Sequence, residues 1–123
     1  MTNMAGIRLR AYNRGMRVGI DLVRIKRIDE ILERNPRSLG KILNSSELNG
    51  KVESVAAKIA IKEAVIKCVD GLTIGNFLDI LVTKNTQGEP LAKLQLDGPE
   101  EMEIQVSVSH DGEYVVAVAI IPS

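Results

Sequence analysis

"AAKIAIKEAVIKC", Ala56 to Cys68, decides how this chain is read. At about 100° per residue, Val55, Ile59 and Ile66 gather on one side of a helix, while Ala57, Ile61, Ala64 and Cys68 gather on nearly the opposite side. A helix that is apolar on two sides is sandwiched between other elements. Two polar seams remain on it, Lys58 with Lys62 and Glu63 with Lys67, the second sharing its stripe with the small residues Ala56 and Ala60. Charges in such a helix need partners, ligands or water. Glu63 and Lys67 stand in the favourable i,i+4 order for a weak ion pair. Lys58 and Lys62 form a cationic seam without an acidic neighbour, which invites an anion or solvent. The small residues beside Glu63 and Lys67 leave room for something else to approach. The helix is expected over about Val52 to Val69, ending at Asp70-Gly71, where glycine supplies the left-handed turn.

Working outward, "RVGIDLV" alternates, with Val18, Ile20 and Leu22 on one face and Gly19, Asp21 and Val23 on the other, so it reads as a strand. "RIKRIDEILER" follows with Ile25, Ile28 and Leu32 at helical spacing, closed by Asn35-Pro36, and its outer face carries Arg24, Lys26 and Arg27. A short helical piece is expected over Leu39 to Leu43, and Asn44 and Glu47 have capping-box spacing just beyond it. The second half reads as two hairpins. Leu78 to Thr83 and Leu91 to Leu96 flank "KNTQGEP", and Glu103 to Ser109 and Tyr114 to Ile121 flank "HDGE", whose Asp-Gly is a strong turn signal. Helices early and hairpins late predict an α+β domain, an antiparallel sheet packed against the long helix.

The chain has 123 residues, of which 45% are hydrophobic and 26% charged, enough for one domain with a core and incompatible with disorder as its main theme. Residues 1–15 read as a basic leader and residues 16–123 as the single domain. No apolar run approaches the roughly 18 residues of a membrane span, and no secretory signal is evident, so the expectation is a cytoplasmic protein that does not use a membrane. The lone cysteine, Cys68, reads as packing. The zero net charge hides an asymmetry: residues 1–42 hold ten Lys/Arg against four Asp/Glu, and the rest hold six against twelve. The basic end is built to meet something acidic. With Phe77, Tyr12 and Tyr114 as the only aromatics, an acidic protein fits better than a nucleic acid.

Asp21 on a strand and Glu63 on a helix are carboxylates embedded in apolar sequence, and hard oxygen ligands of that kind suit Mg²⁺, which needs one or two of them plus phosphate and water. Nearby lysines suit phosphate. Four stretches, "VGIDLVRIKRI", "AAKIAIKEAVIK", "GEP" and "VSVSHDGEYVVAVAI", together resemble the holo-acyl-carrier-protein synthases, small 4′-phosphopantetheinyl transferases, in the family's order. The G-x-D strand combined with the K-E-A-x-x-K helix carries most of the likeness.

That resemblance implies the phosphopantetheinyl transferase fold, commonly a homotrimer, and transfer of 4′-phosphopantetheine from coenzyme A to a serine of an apo acyl carrier protein with Mg²⁺. By that likeness Asp21 and Glu63 hold the metal, Lys67 neutralises the departing 3′,5′-ADP, and Glu63 serves as base for the serine. Lys58 and His110 contact the 3′-phosphate, Gly88 to Pro90 form the loop beside the nucleotide, and Arg24 and Arg27 dock the carrier protein. The chain departs from the pattern at Lys58, where arginine is common, at Asp70, where a glycine turn is usual, and in a shortened "ILNSSELNGK". A non-catalytic relative that binds carrier protein or nucleotide is the alternative reading.

Overall fold

The computed structural model describes residues 15–95 and 100–122. The expected leader lies outside the described residues except for Gly15, as does Leu96 at the expected end of its strand. Strand β1 is Arg17–Arg24, helix α1 Ile25–Arg34, helix α2 Val52–Cys68, and strands β2 to β5 are Ile80–Lys84, Pro90–Leu94, Met102–His110 and Tyr114–Ile121. Tight 3-10 turns occupy Pro36–Lys41, Ser45–Leu48 and Ile74–Asp79. The strands form one antiparallel sheet in the order β1-β5-β4-β3-β2, with α2 across it, which is the α+β arrangement expected.

Two local expectations are corrected. The strand expected from Leu78 begins at Ile80, because Leu78 and Asp79 complete the 3-10 turn started at Thr73. Thr73 Oγ1 accepts the Gly75 N–H at 3.2 Å, and the Thr73 N–H donates to Asn76 Oδ1 at 3.0 Å. Such side-chain bonds to the backbone hold the segment out of the ladder. The helical piece expected over Leu39 to Leu43 is the 3-10 turn Pro36–Lys41, started by proline.

The tip between β4 and β5 is as expected, with Gly112 at φ 99° and Asp111 Oδ1 accepting the N–H groups of Glu113 and Tyr114 at 2.9 and 3.0 Å. These bonds hold the Asp111 carboxyl below its usual range.

The inner face of the sheet is made of small residues where it meets α2. Gly19, Ala117 and Ala119 are buried on the sheet, and Ala56, Ala60 and Ala64 are buried on the helix. A Cβ on Gly19 would collide with the backbone carbonyl of Ala64, so glycine sets how closely β1 approaches the helix. Ala56 and Ala60 are completely buried, so the stripe expected to admit something else is filled by the protein itself, and only its end at Glu63 and Lys67 reaches solvent. Around this contact the aliphatic core includes Val55, Ile59, Ile61, Val65, Ile80, Leu94 and Ile104. Burying each such side chain contributes about 1.5–3 kcal/mol.

Strand β4 changes partners along its length. Residues Met102, Glu103 and Ile104 pair with β3, and Gln105 to His110 pair with β5. Pairing with β3 stops at Ala92↔Ile104, so Leu91 and Pro90 continue without a β4 partner. The β2–β3 tip therefore parts from the His110 end of β4, and a cleft opens between them.

The outer face of the sheet is apolar where β1 and β5 lie. Val18, Ile20 and Leu22 are 56%, 57% and 62% exposed, and they pair with Ile120, Val118 and Val116 on the same face.

Candidate active site

The proposed site residues fall into two groups. The first lies where β1 crosses the C-terminal half of α2. Asp21 is on the face of β1 turned toward the helix, and Lys67 Nζ donates to Asp21 Oδ1 and to the Ile20 carbonyl, each at 3.0 Å. Lys67 thus pairs with Asp21 on the strand rather than with Glu63 one turn back, as the helical spacing alone would suggest.

Glu63 faces Asp21. Burial first, then the hydrogen bond its protonated form makes to Asp21 and the Asp21 charge, push the Glu63 carboxyl up to about 7, while Lys67 and Arg27 pull the other way. Asp21 Oδ2 is buried with no donor directed at it when Glu63 is ionised. Two carboxyl groups crowded together with one orphaned oxygen form an incomplete site that a proton or a hard cation would complete. The pair fits Mg²⁺ on that ground. Among the described residues no cluster of three or more His, Cys, Asp or Glu is present, and Mg²⁺ does not need one when phosphate and water supply the other oxygens.

The second group lines the cleft of about 840 Å³ between the parted strands and the first half of α2. Lys58, Gly88, Pro90 and His110 all face it, together with Lys84 and Lys51. Gly88 has φ 83° and donates its N–H to the Asn85 carbonyl at 3.0 Å, which closes the β2–β3 tip. Lys58 Nζ donates to the carbonyls of Glu47 and Asn49 at 2.9 and 3.4 Å. Burial lowers its pKa, Glu47 opposes that, and Lys84 adds a further lowering. Lysines this close, with His110 across the cleft, make a cationic wall suited to a phosphate.

The two groups do not share the cleft. Lys58 and Glu63 are about 140° apart around α2, and Lys58 and Lys67 about 180°. Arg24 and Arg27 are exposed at the β1–α1 junction, and Arg27 is near enough to Glu63 to affect its carboxyl.

Sequence reasoning missed three partners. Lys62 has an acidic neighbour after all: it is fully buried and pairs at 2.7 Å with Glu47, which is 2% exposed. The capping spacing of Asn44 and Glu47 was a legible signal for one half of Glu47's bonding, because Glu47 Oε1 accepts the Asn44 N–H at 2.8 Å. Lys84 is brought beside Lys58 only by the hairpin. Asp70 is gripped by Arg17, with Nη2–Oδ1 at 2.8 Å and Nη1–Oδ2 at 3.3 Å, so its charge is balanced beside the end of α2. Cys68 is buried, and its thiol is pushed up to about 11 by burial, which agrees with a packing role.

The comparisons with known proteins point the same way. Residues 17–119 match the family model described as the 4'-phosphopantetheinyl transferase superfamily. The chain is 36% identical over 114 residues to a holo-(acyl-carrier-protein) synthase of Oceanobacillus iheyensis, covering 85% of this chain and 93% of that protein. It is 36% identical over 116 residues to a protein of the same name from Alkaliphilus metalliredigens, covering 84% and 95%. Among solved structures, the Bacillus anthracis holo-(acyl-carrier-protein) synthase in complex with CoA (3′,5′-ADP) superposes with a TM-score of 0.68 at 31% identity over 87% of this chain and 96% of that one. The Helicobacter pylori enzyme in complex with coenzyme A gives 0.67 at 30% identity over 86% and 99%. With a match over most of its length in sequence and in fold, the chain belongs to the 4′-phosphopantetheinyl transferase superfamily.

Proposed function

We propose that this protein transfers the 4′-phosphopantetheine of coenzyme A to a serine of an apo acyl carrier protein, giving holo carrier protein and 3′,5′-ADP. The observation that carries this reading is the crowded Asp21–Glu63 carboxyl pair with Lys67 bonded to it. Displacement at phosphorus needs positioned charge more than covalent help, and these groups supply it. Asp21 and Glu63 would hold Mg²⁺, which when bound neutralises charge on the diphosphate. The serine oxygen bonds to the β-phosphorus, the bond to the 3′,5′-ADP oxygen breaks, and the serine proton passes to Glu63, directly or through water. Lys67 neutralises the oxygen that leaves with 3′,5′-ADP.

Lys58 and His110, joined by Lys84, bind the 3′-phosphate, and Gly88 to Pro90 lie beside the nucleotide. Lysine at position 58 gives a point charge in place of a bidentate grip, and Lys84 adds a second one. Arg24 and Arg27 dock the acidic carrier protein and bring its serine to Glu63, which the nearness of Arg27 to that carboxyl supports.

A homotrimer is the assembly proposed, and two observations support contact between copies. The Val18, Ile20 and Leu22 face is too apolar to leave in water, and the two groups of site residues point away from each other around α2. On this reading one copy supplies the cleft and its neighbour the carboxylates to the same coenzyme A. Among the described residues no helix is long and apolar enough to cross a membrane, and the cytoplasm, where carrier proteins are made, is the proposed location.

The test is to incubate the protein with apo acyl carrier protein, coenzyme A and Mg²⁺ and to follow the carrier's mass. Addition of phosphopantetheine is expected. An unchanged carrier at high enzyme concentration would reject the transferase reading.

A further inference from the structure

The Glu47–Lys62 pair takes no part in the reaction described above, yet it is the most completely buried charge pair among the described residues. Glu47 Oε1 accepts from Lys62 Nζ at 2.7 Å, from the Asn44 N–H at 2.8 Å and from Asn44 Nδ2 at 3.2 Å. Its Oε2 accepts the Val82 N–H of β2 at 2.9 Å. Lys62 Nζ gives a second hydrogen bond to the Ile42 carbonyl at 2.8 Å. One carboxylate therefore ties together the turn around residues 44–48, helix α2 and strand β2. Two apolar side chains would fill the same space. They could not hold three backbone segments in register.

What that register controls is Lys58. The ammonium of Lys58 has three N–H groups, and the carbonyls that accept from it belong to Glu47 itself and to Asn49, two residues on. With those carbonyls fixed, the remaining N–H is left for the cleft, whose walls are built from both sides of the clamp: Ser46 and Asn49 on one, Val82, Thr83 and Lys84 on the other. We infer that Glu47 and Lys62 are positioning residues for coenzyme A. Their buried pair fixes the 44–49 segment so that its carbonyls aim the Lys58 ammonium at the bound phosphate. This rests on the phosphate-binding role proposed for Lys58, and it explains how a lysine serves there. The clamp supplies the orientation that a guanidinium would carry in its own plane.

The test compares the wild type, Lys58→Met, the double variant Glu47→Leu/Lys62→Met, and the triple variant. The readouts are 3′,5′-ADP binding by calorimetry, KM for coenzyme A, kcat and the thermal midpoint. The double variant is expected to unfold at a lower temperature, because the Val82 and Asn44 N–H groups and the Ile42 carbonyl lose their partners, yet to keep its kcat at saturating coenzyme A, while 3′,5′-ADP binding weakens and KM rises about tenfold, the scale of one hydrogen bond to a charged group. The triple variant should bind no worse than Lys58→Met alone, because the clamp acts through Lys58. Should the double variant not fold, Glu47→Gln keeps the shape but has one acceptor oxygen in place of two and no negative charge, which weakens the clamp, and a rise in KM confined to coenzyme A is expected of it. Wild-type KM in a folded clamp variant, or losses that add in full to those of Lys58→Met, would overturn the positioning role. A wild type that binds no 3′,5′-ADP would instead overturn the functional reading on which it rests.

Discussion

At the scale of single residues, Glu63 carries the sharpest expectations. Its carboxyl titrates at about 7 in the fold against an ordinary value of 4.5, so the folded state holds the proton more tightly than the unfolded chain does. In the metal-free protein the penalty for ionising it is absent below pH 4.5, grows as pH rises, and is complete above about pH 7. After allowance for solvent screening this amounts to about 1–2 kcal/mol. Urea unfolding of the metal-free protein between pH 5 and pH 8 should therefore show a loss of stability that Glu63→Gln abolishes. The same substitution should eliminate transfer while the protein stays folded, and unfolding of Glu63→Gln at neutral pH would make the residue structural. The proximity of Asp21 to Glu63 was suggested by two carboxylates in apolar surroundings. The partnership of Glu47 with Lys62 was not legible, because the two are fifteen residues apart and a buried ion pair leaves no periodic trace.

At the scale of elements, β1 and α2 must be almost in van der Waals contact for Asp21 to reach Glu63 and Lys67. Gly19 allows this, since a side chain there would strike the Ala64 carbonyl. Gly19→Ala is expected to force β1 off the helix, at a cost of about 1–3 kcal/mol, the usual range for overpacking. Its transfer activity should fall by more than its stability explains, and full activity in a folded Gly19→Ala protein would show that the approach is not critical. For α1 the expectation is different: Arg24→Glu/Arg27→Glu should weaken carrier-protein binding and leave coenzyme A binding intact, with calorimetry of each ligand as the check. β1 and α1 were readable because their periods are clean, two for the strand and the helical repeat for α1, whereas α2 was readable as a buried helix because it is apolar on two sides. The β2 boundary was not, because Leu78 continues the apolar pattern while Thr73 and Asn76 bind the backbone into a turn. The cleft was not legible either. It exists because β4 changes partners at Ile104 and Gln105, which depends on how three strands meet and not on any one of their sequences.

At the scale of the whole molecule, a single copy is an incomplete enzyme on the proposed reading. The cleft with Lys58 and His110 lies on one side of the helix and the Asp21, Glu63 and Lys67 group on the other, while the aliphatic face of β1 and β5 is left for another surface to cover. In the proposed homotrimer, a ring of copies related by rotation would satisfy both requirements at once, each interface joining the cleft of one to the carboxylates of the next. Ile20→Lys places a charge in the middle of that face, and should yield a folded monomer without transfer activity, as sedimentation and the mass assay would reveal. Mixing offers a stronger check. A protein carrying Glu63→Gln retains a sound cleft, and one carrying Lys58→Met with His110→Ala retains sound carboxylates, so each alone should be nearly inactive. If they are unfolded and refolded together in equal amounts, random assembly puts a sound cleft against sound carboxylates at about one interface in four. Recovery of roughly that fraction of wild-type activity is the expected result. No recovery, with mixed oligomers demonstrated by mass, would mean that both halves of the site must come from one chain.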